Sequence, residues 1–532
     1  MQLTDKTAPV IIAPNGTYLG KYETAASTVK FLGIPFGNAE RWKRAVDMNT
    51  TSEDRIPADQ YGPAPWQNTI QWGTMAPAGL SADCLNLNLY MADTAKTDKA
   101  VMVWIYGGAQ IAGSNVGCLP CAPGMLPLSY DGSKLVRENP DIILVVPNYR
   151  VGMWGSLDLS GLPDTNTAYQ YSNNLARLDI LQCLRWIRKN IKAFGGNPEN
   201  ITLFGQSAGS CNITALMLME EAQGLFQKVI CQSSFAADIS LTTCNDSRTV
   251  SNALLSALDC STLEHALKKS DKELLEAQNK IASASMGGSS AFSSIESKLF
   301  APVIDGITIP EDYWQRFSSG CCGRVLFLGG TNAGEYDQQF TGLPLLGQAE
   351  AARQLTVSQN WGKLDPVRGF APEITDLFCS HYADCRSQFQ AFMDLKGDLY
   401  LRMGAMAYAM VCACNKGAYL YHLALPLPDG SRFGHGREIP ILFAYDCESP
   451  MYLQKQIRGA WCSFARSGDP NCESLPVRWL PFTRENQETL VIGKETLIVH
   501  GLRAKDTELL MPLLREYRRC PEFAALWQFS KS

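Results

Sequence analysis

The chain has 532 residues, of which 46% are hydrophobic and 19% are charged, so it can bury a large core and is not a disordered, collagen-like or low-complexity protein. Its 47 Lys and Arg residues against 52 Asp and Glu residues give a formal net charge of −5, without the basic stripe of a nucleic-acid-binding surface. No apolar stretch approaches the roughly 18 residues that a membrane-spanning helix needs.

Short aliphatic runs alternate along the chain with longer amphipathic stretches. The short runs predict strands that are buried on both faces, at 101–106, 142–146, 201–204, 325–328 and 418–423. The helical spacing of apolar residues predicts helices at 175–194, 388–411 and 453–466. This alternation predicts an α/β protein with a mostly parallel sheet between helices, and the lack of a Pro- or Gly-rich linker predicts one domain over residues 1–532, with long insertions.

The segment I-T-L-F-G-Q-S-A-G-S, residues 201–210, places a G-x-S-x-G pattern between a predicted strand and a helix-compatible run. A tight strand-to-helix turn strains the central serine and lifts its hydroxyl above the edge of the sheet. Gly205 and Gly209 have no side chain that would keep strand and helix apart. Ser207 is therefore the predicted nucleophile, and the N–H group of Ala208 is a predicted oxyanion donor. An ordinary Gly-rich turn is the alternative.

A serine hydroxyl needs a base to take its proton, and the acid and the histidine follow a nucleophile of this kind along the chain. All five histidines follow Ser207, namely His265, His381, His422, His435 and His500. His265 lies in a charged helical stretch, and His422 lies inside an apolar strand where a core position is expected. His435 lies in a loop after a strand, where an imidazole can reach a serine, and is the predicted base.

Two further predictions concern the ends of strands. The strand at 325–328 leads into a Gly-rich turn that presents Glu335, a candidate for the triad acid. Asp337 and Asp305 are the alternatives, although Asp305 lies in P-V-I-D-G, which is typical of a structural turn. The strand at 101–106 leads into a loop of small residues, in which Gly108 and Ala109 are predicted to join Ala208 in an oxyanion hole.

The segment F-G-G-N-P-E-N-I-T-L-F-G-Q-S-A-G-S, residues 194–210, closely resembles the nucleophile signature of type-B carboxylesterases, the family of the cholinesterases and para-nitrobenzyl esterases. Further segments are similar to family motifs, at 82–90, 101–108, 148–152, 302–306 and 464–471. The resemblance implies an α/β-hydrolase fold with loop and helical insertions that form a gorge or lid. It also implies a serine carboxylic ester hydrolase with the triad Ser207, Glu335 and His435, without a metal or an organic cofactor.

Three positions bear on the substrate pocket. Gln110 stands where the family usually has an aromatic residue, which predicts a more polar acyl side of the pocket. Gln206 stands where most of the family has Glu, which predicts little preference for positively charged esters. Trp72 lies near the position of the cation-binding tryptophan of cholinesterases, but an indole in the core or at the rim is the favoured interpretation.

The resemblance also bears on the compartment. Extracellular members of the family pair a cysteine at the position of Cys84 with one upstream, but residues 1–83 contain no cysteine and Pro65 stands at the expected position. This favours a cytoplasmic protein whose 18 cysteines are mostly free thiols.

The expected partner is a small or medium neutral ester, with no nucleic acid and no membrane span. Whether the protein is a monomer or a homodimer stays open. The same triad could act on an amide, a carbamate or a lactone, and the fold also hosts non-catalytic, neuroligin-like binding proteins. The retention of all three triad residues disfavours a non-catalytic role.

Overall fold

The computed structural model describes residues 9–119, 127–235, 240–285, 299–320, 324–336, 394, 397–425, 432–444 and 449–507. Its strands are β1 (Val10–Ala13), β2 (Gly16–Leu19), β3 (Lys21–Glu23), β4 (Thr28–Pro35), β5 (Arg55–Pro57), β6 (Asn86–Ala92), β7 (Lys99–Ile105), β8 (Gly117–Cys118), β9 (Leu128–Ser129), β10 (Ile142–Pro147), β11 (Gly196–Gln206), β12 (Lys228–Gln232), β13 (Thr242–Thr243), β14 (Val303–Ile304), β15 (Leu326–Asn332), β16 (Ala418–Leu423), β17 (Glu488–Ile492) and β18 (Thr496–His500). Its α-helices are α1 (Thr69–Trp72), α2 (Ser133–Glu138), α3 (Gly152–Gly155), α4 (Leu175–Asn190), α5 (Ala208–Leu218), α6 (Cys244–Ala257), α7 (Leu263–Lys268), α8 (Asp271–Ser285), α9 (Tyr313–Ser318), α10 (Met403–Ala413), α11 (Glu438–Phe443) and α12 (Met451–Ser467).

A sheet of eleven strands carries the site, in the order β18-β17-β16-β15-β12-β11-β7-β10-β6-β4-β3. Its inner strands, from β10 to β17, pair in parallel. Antiparallel strands flank them at both edges. Every residue of β7 and β10 is buried, as expected for strands covered on both faces. The predicted α/β class with a mostly parallel sheet is therefore confirmed.

Each predicted element has a counterpart in the structure, but two strands are longer than predicted: β11 spans Gly196–Gln206, and β15 continues through the segment predicted as a Gly-rich turn to Asn332. The five predicted strands are β7, β10, β11, β15 and β16, all in the central sheet. The helix predicted at 175–194 is α4 followed by a 3₁₀ turn, and the one at 453–466 is α12. The helix predicted at 388–411 is helical at residues 394 and 397, continues as a π turn at Asp398–Arg402 and then as α10, while 388–393, 395 and 396 lie outside the described residues. No helix in the described ranges is long and apolar enough to cross a bilayer.

An aromatic cluster in the core joins the elements that lead into the site. The ring centroid of Trp104 in β7 lies 4.9 Å from that of Phe204 in β11 and 5.2 Å from that of Phe443 in α11. All three side chains are buried. Aromatic pairs in such tilted and edge-on contacts stabilise a core by about 0.5–1.5 kcal/mol beyond their buried area. The cluster therefore anchors two strand ends and one helix end that the site depends on.

Gly209, in the first turn of α5, lies against the carboxyl end of β7. A Cβ atom added there would lie 2.0 Å from the carbonyl oxygen of Ile105 and 2.6 Å from that of Tyr106. Both atoms belong to the backbone and cannot move aside without shifting the strand. The glycine that the sequence pattern singles out is therefore required for the packing of helix on strand.

We expect Gly209→Ala to lower the free energy of unfolding by about 3 kcal/mol or more, because the new methyl group must push α5 away from β7. In an unpacked helix the same change would stabilise the protein by about 1 kcal/mol, so the sign of the effect is diagnostic. Urea unfolding monitored by circular dichroism measures it.

The matched control is Gly224→Ala, because Gly224 has a φ of 80° and a Cβ atom added there meets nothing within 4 Å. Only the left-handed backbone disfavours alanine at this position, so we expect the free energy of unfolding to fall by about 1–2 kcal/mol. A Gly209→Ala protein as stable as the wild type would contradict the tight contact between α5 and β7.

Candidate active site

Ser207 lies in the turn between β11 and α5, at the carboxyl edge of the parallel strands. Its backbone is left-handed, with φ 56° and ψ −127°, a conformation that raises the energy of a non-glycine residue by about 1–3 kcal/mol. The surrounding backbone holds it there, since its N–H donates to Gln232 O at 3.0 Å and its carbonyl accepts from Cys211 N at 3.0 Å. The predicted strand–turn–helix context of Ser207 is thus present, with the strained backbone expected of a nucleophile.

Glu335 and His435 are in direct contact. The Nδ1 atom of His435 lies 2.6 Å from Oε2 of Glu335, and both side chains are largely buried. Their two turns are also joined through the backbone, because Gly334 N donates to Phe433 O at 2.9 Å. An ionised carboxylate only accepts hydrogen bonds, so the proton of a neutral imidazole belongs on Nδ1 and the lone pair on Nε2. This is the tautomer that a base for a serine hydroxyl requires.

The alternative residues occupy other environments. Asp305 accepts the backbone N–H groups of residues 307, 308 and 309 at 2.6–3.0 Å, and is a structural turn residue, as the sequence indicates. His422 lies in β16 with its Nδ1 atom 3.2 Å from Thr331 Oγ1, and burial lowers its pKa to about 4. His265 and His500 are exposed. Asp337 and His381 lie outside the described residues.

Gln206 contacts the imidazole from the side opposite Glu335. Its Nε2 atom lies 2.9 Å from Nε2 of His435, and its side chain is buried. With the proton of the imidazole on Nδ1, the amide nitrogen is the donor and the lone pair of the histidine is the acceptor. A carboxylate at this position could not donate that hydrogen bond. The sequence predicts a neutral residue near the imidazole, and the structure places it in direct contact.

Two residues that the sequence analysis does not identify hold the carboxylate of Glu335. Ser233 Oγ donates to Oε1 of Glu335 at 2.7 Å, and the N–H group of Asn332 donates to the same oxygen at 2.7 Å. Oε2 is left for the imidazole. Hydrogen bonds to an ionised group are worth about 1.5–3 kcal/mol each, so these donors both orient and stabilise the charged carboxylate.

Glu438, three residues after His435, is a second buried carboxyl group behind the site. Its Oε2 accepts from Asn332 Nδ2 at 2.7 Å, and its Oε1 accepts from Gln232 Nε2 at 3.0 Å. Burial and the nearby charge of Glu335 raise the pKa of Glu438. The same Asn332 amide donates to Gly434 O at 2.8 Å, so this cluster positions the loop that carries the histidine. The H-G-R-E-I segment contains Glu438, but nothing in the sequence indicates its partners.

The loop after β7 lies against the turn that carries Ser207. A Cβ atom at Gly107 would lie 2.8 Å from Gln206 O, so the loop and the turn are in close contact. Gly108, Ala109 and Gln110 all have left-handed backbones, with φ of 126°, 55° and 66°. These angles turn the backbone sharply at the place where the sequence predicts the N–H groups of Gly108 and Ala109 to bind an oxyanion.

The side chains of Gln110 and Trp72 face different surroundings. Gln110 is buried, and its Nε2 atom donates to Asn212 Oδ1 at 3.1 Å and to Ala208 O at 3.3 Å. Trp72 ends α1 as a partly buried ring packed against the hydrophobic core, in keeping with a core or rim position. Among the described residues, no group of three or more His, Cys, Asp or Glu side chains is placed to hold a metal ion.

Comparison with known proteins gives one family. The model of the "Carboxylesterase family" matches residues 7–510. The chain is 29% identical over 506 residues to para-nitrobenzyl esterase of Bacillus subtilis (strain 168), covering 91% of this chain and 95% of that protein. It is 28% identical over 559 residues to liver carboxylesterase of Sus scrofa, covering 95% and 93%.

Solved structures agree with the sequence comparison. A structure of PNB esterase superposes with a TM-score of 0.76 at 29% identity, over 95% of this chain and 100% of that one. A carboxylesterase structure from Geobacillus stearothermophilus has a TM-score of 0.77 at 23% identity and shows the likeness of fold. The predicted α/β-hydrolase fold is confirmed, and the chain belongs to the carboxylesterase family of carboxylic ester hydrolases.

Proposed function

We propose that this protein hydrolyses carboxylic esters through an acyl-enzyme formed on Ser207. The observation that carries the proposal is the 2.6 Å contact between Glu335 and His435 beside the strained turn of Ser207. For this step the Gln206 amide must give up its hydrogen bond to Nε2 of His435. His435 then takes the proton of Ser207 while the serine oxygen attacks the ester carbonyl, and it gives that proton to the leaving alcohol. Glu335 keeps the imidazole in its reactive tautomer and stabilises the cation that forms.

The developing oxyanion is bound by the backbone N–H groups of Gly108, Ala109 and Ala208. Removing one donor of this kind costs about 10²–10³-fold in kcat, so three converging donors supply a large share of the rate enhancement. Water then attacks the acyl-enzyme, with His435 as the base, and releases the acid. Besides the ester and water, these steps use only side chains and backbone groups of this chain, so the mechanism needs neither a metal nor an organic cofactor.

The substrates that we propose are small to medium neutral esters. Gln206 supports this, because the group in contact with His435 is a neutral amide and adds no negative charge that would attract a cationic substrate. One similar protein is named para-nitrobenzyl esterase, and the para-nitrobenzyl group is uncharged. A matched pair tests the proposal, a choline ester against its neutral 3,3-dimethylbutyl isostere. We expect kcat/KM for the neutral ester to equal or exceed that for the cationic one, and a strong preference for choline would contradict it.

The decisive experiment is hydrolysis of para-nitrophenyl esters of increasing acyl length, followed by stopped flow. An acyl-enzyme predicts a burst of one para-nitrophenol per active site when deacylation is slower than acylation. The matching para-nitroanilide and carbamate test the alternative use of the same residues on other acyl groups. Failure to hydrolyse any member of the ester series would overturn the proposed function. A higher kcat/KM for the anilide than for the ester would mean that amides are the preferred substrates.

We also propose a cytoplasmic location. Cys84 is a buried free thiol, and burial raises its pKa to about 12, which keeps it protonated and unreactive. Pro65 occupies the upstream segment where extracellular relatives of this type would supply a partner. Thiol titration of the protein purified without reductant tests this, and a disulfide involving Cys84 would contradict it.

A further inference from the structure

We propose that Gln110 is a positioning residue that couples the two halves of the oxyanion hole. This inference rests on the proposed function, in which two donors come from the loop after β7 and the third from the first residue of α5. The loop and the helix are separate pieces of chain, so their relative position decides whether all donors converge on one oxygen. Catalytic donors must be held to within about 0.5 Å of the productive geometry.

The loop needs a contact that holds it in place, because its backbone is strained. Ala109 and Gln110 have φ of 55° and 66°, in the left-handed region that non-glycine residues rarely adopt. Each such residue raises the energy of the folded loop by about 1–3 kcal/mol, which favours relaxation unless neighbouring groups oppose it. That contact must therefore be made by the loop itself, at or beside these residues.

Two hydrogen bonds secure the ends of the loop to the segment after β10. Tyr149, which follows β10, donates its hydroxyl to Tyr106 O at 2.6 Å, immediately before the loop. At the other end, Gly152 N donates to Gln110 O at 2.7 Å. Tyr149 also interacts with Asn212 of α5, but neither hydrogen bond joins the loop directly to that helix.

The side chain of Gln110 makes the link to α5. Its Nε2 atom donates to Ala208 O at 3.3 Å and to Asn212 Oδ1 at 3.1 Å, one turn further along the helix. Ala208 is the residue whose N–H group is the third proposed donor, so Gln110 joins one donor residue to the loop of the other two. Its Oε1 atom is buried without a hydrogen-bond partner among the described residues, so the amide nitrogen carries the link.

The test compares Gln110→Met with the wild type, because methionine preserves length and apolar volume but cannot donate. We expect kcat to fall about 10- to 100-fold with KM changed less than about threefold, because misplaced donors weaken the transition state and not the bound ester. The Ki of an alkyl trifluoromethyl ketone, which forms an oxyanion on Ser207, should rise by the same factor as kcat falls. An unchanged kcat, a rise in KM alone, or an unchanged Ki would each overturn the proposal.

Two further variants separate positioning from general loss of structure. Gln67→Met removes the hydrogen bonds that Gln67 makes to Gly113 beyond the loop, at 2.8 Å each, and should leave the Ki of the ketone unchanged. Asn212→Ala removes one acceptor of Gln110, and its effect combined with Gln110→Met should be smaller than the product of the two single effects. Multiplicative effects would contradict the link.

The outcomes also distinguish this inference from the proposed function. If the wild type does not hydrolyse esters, or Ser207→Ala remains fully active, the proposed function fails whatever Gln110 does. If hydrolysis depends on Ser207 and Gln110→Met matches the wild type in kcat and Ki, only the coupling role of Gln110 is wrong.

Discussion

Ser207→Ala should lower kcat for para-nitrophenyl ester hydrolysis by about 10⁶-fold, to the rate that binding and the oxyanion donors alone can provide. Without the hydroxyl no acyl-enzyme forms, so the burst of para-nitrophenol should disappear as well. Alanine is smaller than serine and leaves the hydrogen bonds of the Ser207 backbone in place, so the variant should fold. Steady-state rates, the stopped-flow burst and a thermal melt together measure the effect.

The matched control is Ser210→Ala. Ser210 is buried in the first turn of α5, three residues after Ser207, so the control removes a nearby buried hydroxyl without touching the proposed nucleophile. We expect its kcat to stay within about threefold of the wild type. If Ser207→Ala kept a measurable burst, or if both variants lost activity equally, Ser207 would not be the nucleophile.

The local parts of the site could be predicted because short stretches of sequence determine them. The turn at Ser207 depends on a buried strand, two glycines and a helix that are contiguous in the chain. The sequence also separates His435 from His422, because a histidine inside an apolar strand has no freedom to reach a serine. The structure places His422 within β16, with its Nδ1 atom 3.2 Å from Thr331 Oγ1.

The contacts that depend on distant parts of the chain could not be predicted. The hydrogen bond from Ser233 to Glu335 joins residues 102 positions apart, and it exists because β12 and β15 are neighbours in the sheet. The contact between Gln206 and His435 spans 229 positions. Sequence patterns indicate which residue types are present, but the pairing of strands decides which of them meet.

Gln110 illustrates the same limit at short range. The sequence shows that an amide replaces an aromatic ring and predicts a more polar acyl side of the pocket. The direction of the amide depends on the left-handed backbone of residues 108–110, which directs its nitrogen to α5. A pattern of residue types does not predict these backbone angles.

Glu335→Gln should lower kcat by about 10⁴-fold at neutral pH while leaving KM nearly unchanged. The amide can donate to Nδ1 of His435, which places the proton of the imidazole on Nε2 and removes the lone pair that must accept the serine proton. The amide also brings no charge to stabilise the imidazolium. The remaining contacts of the side chain tolerate the change, because Ser233 and Asn332 can still donate to its oxygen.

Glu438→Gln is the matched control, since it makes the same chemical change in the same buried cluster. Glu438 accepts hydrogen bonds from Asn332 and Gln232, and its raised pKa favours a neutral side chain at this position. We expect its kcat to fall no more than about tenfold, with a lower melting temperature because an amide nitrogen replaces one acceptor oxygen. Equal losses in the two variants would mean that the cluster acts as a structural unit, and a Glu335→Gln enzyme with more than a tenth of the wild-type kcat would remove Glu335 from the triad. The contrast between two carboxyl groups of one buried cluster, of which Glu335 contacts His435 at 2.6 Å, therefore tests whether that contact, and not the general polarity of the site, carries the catalysis.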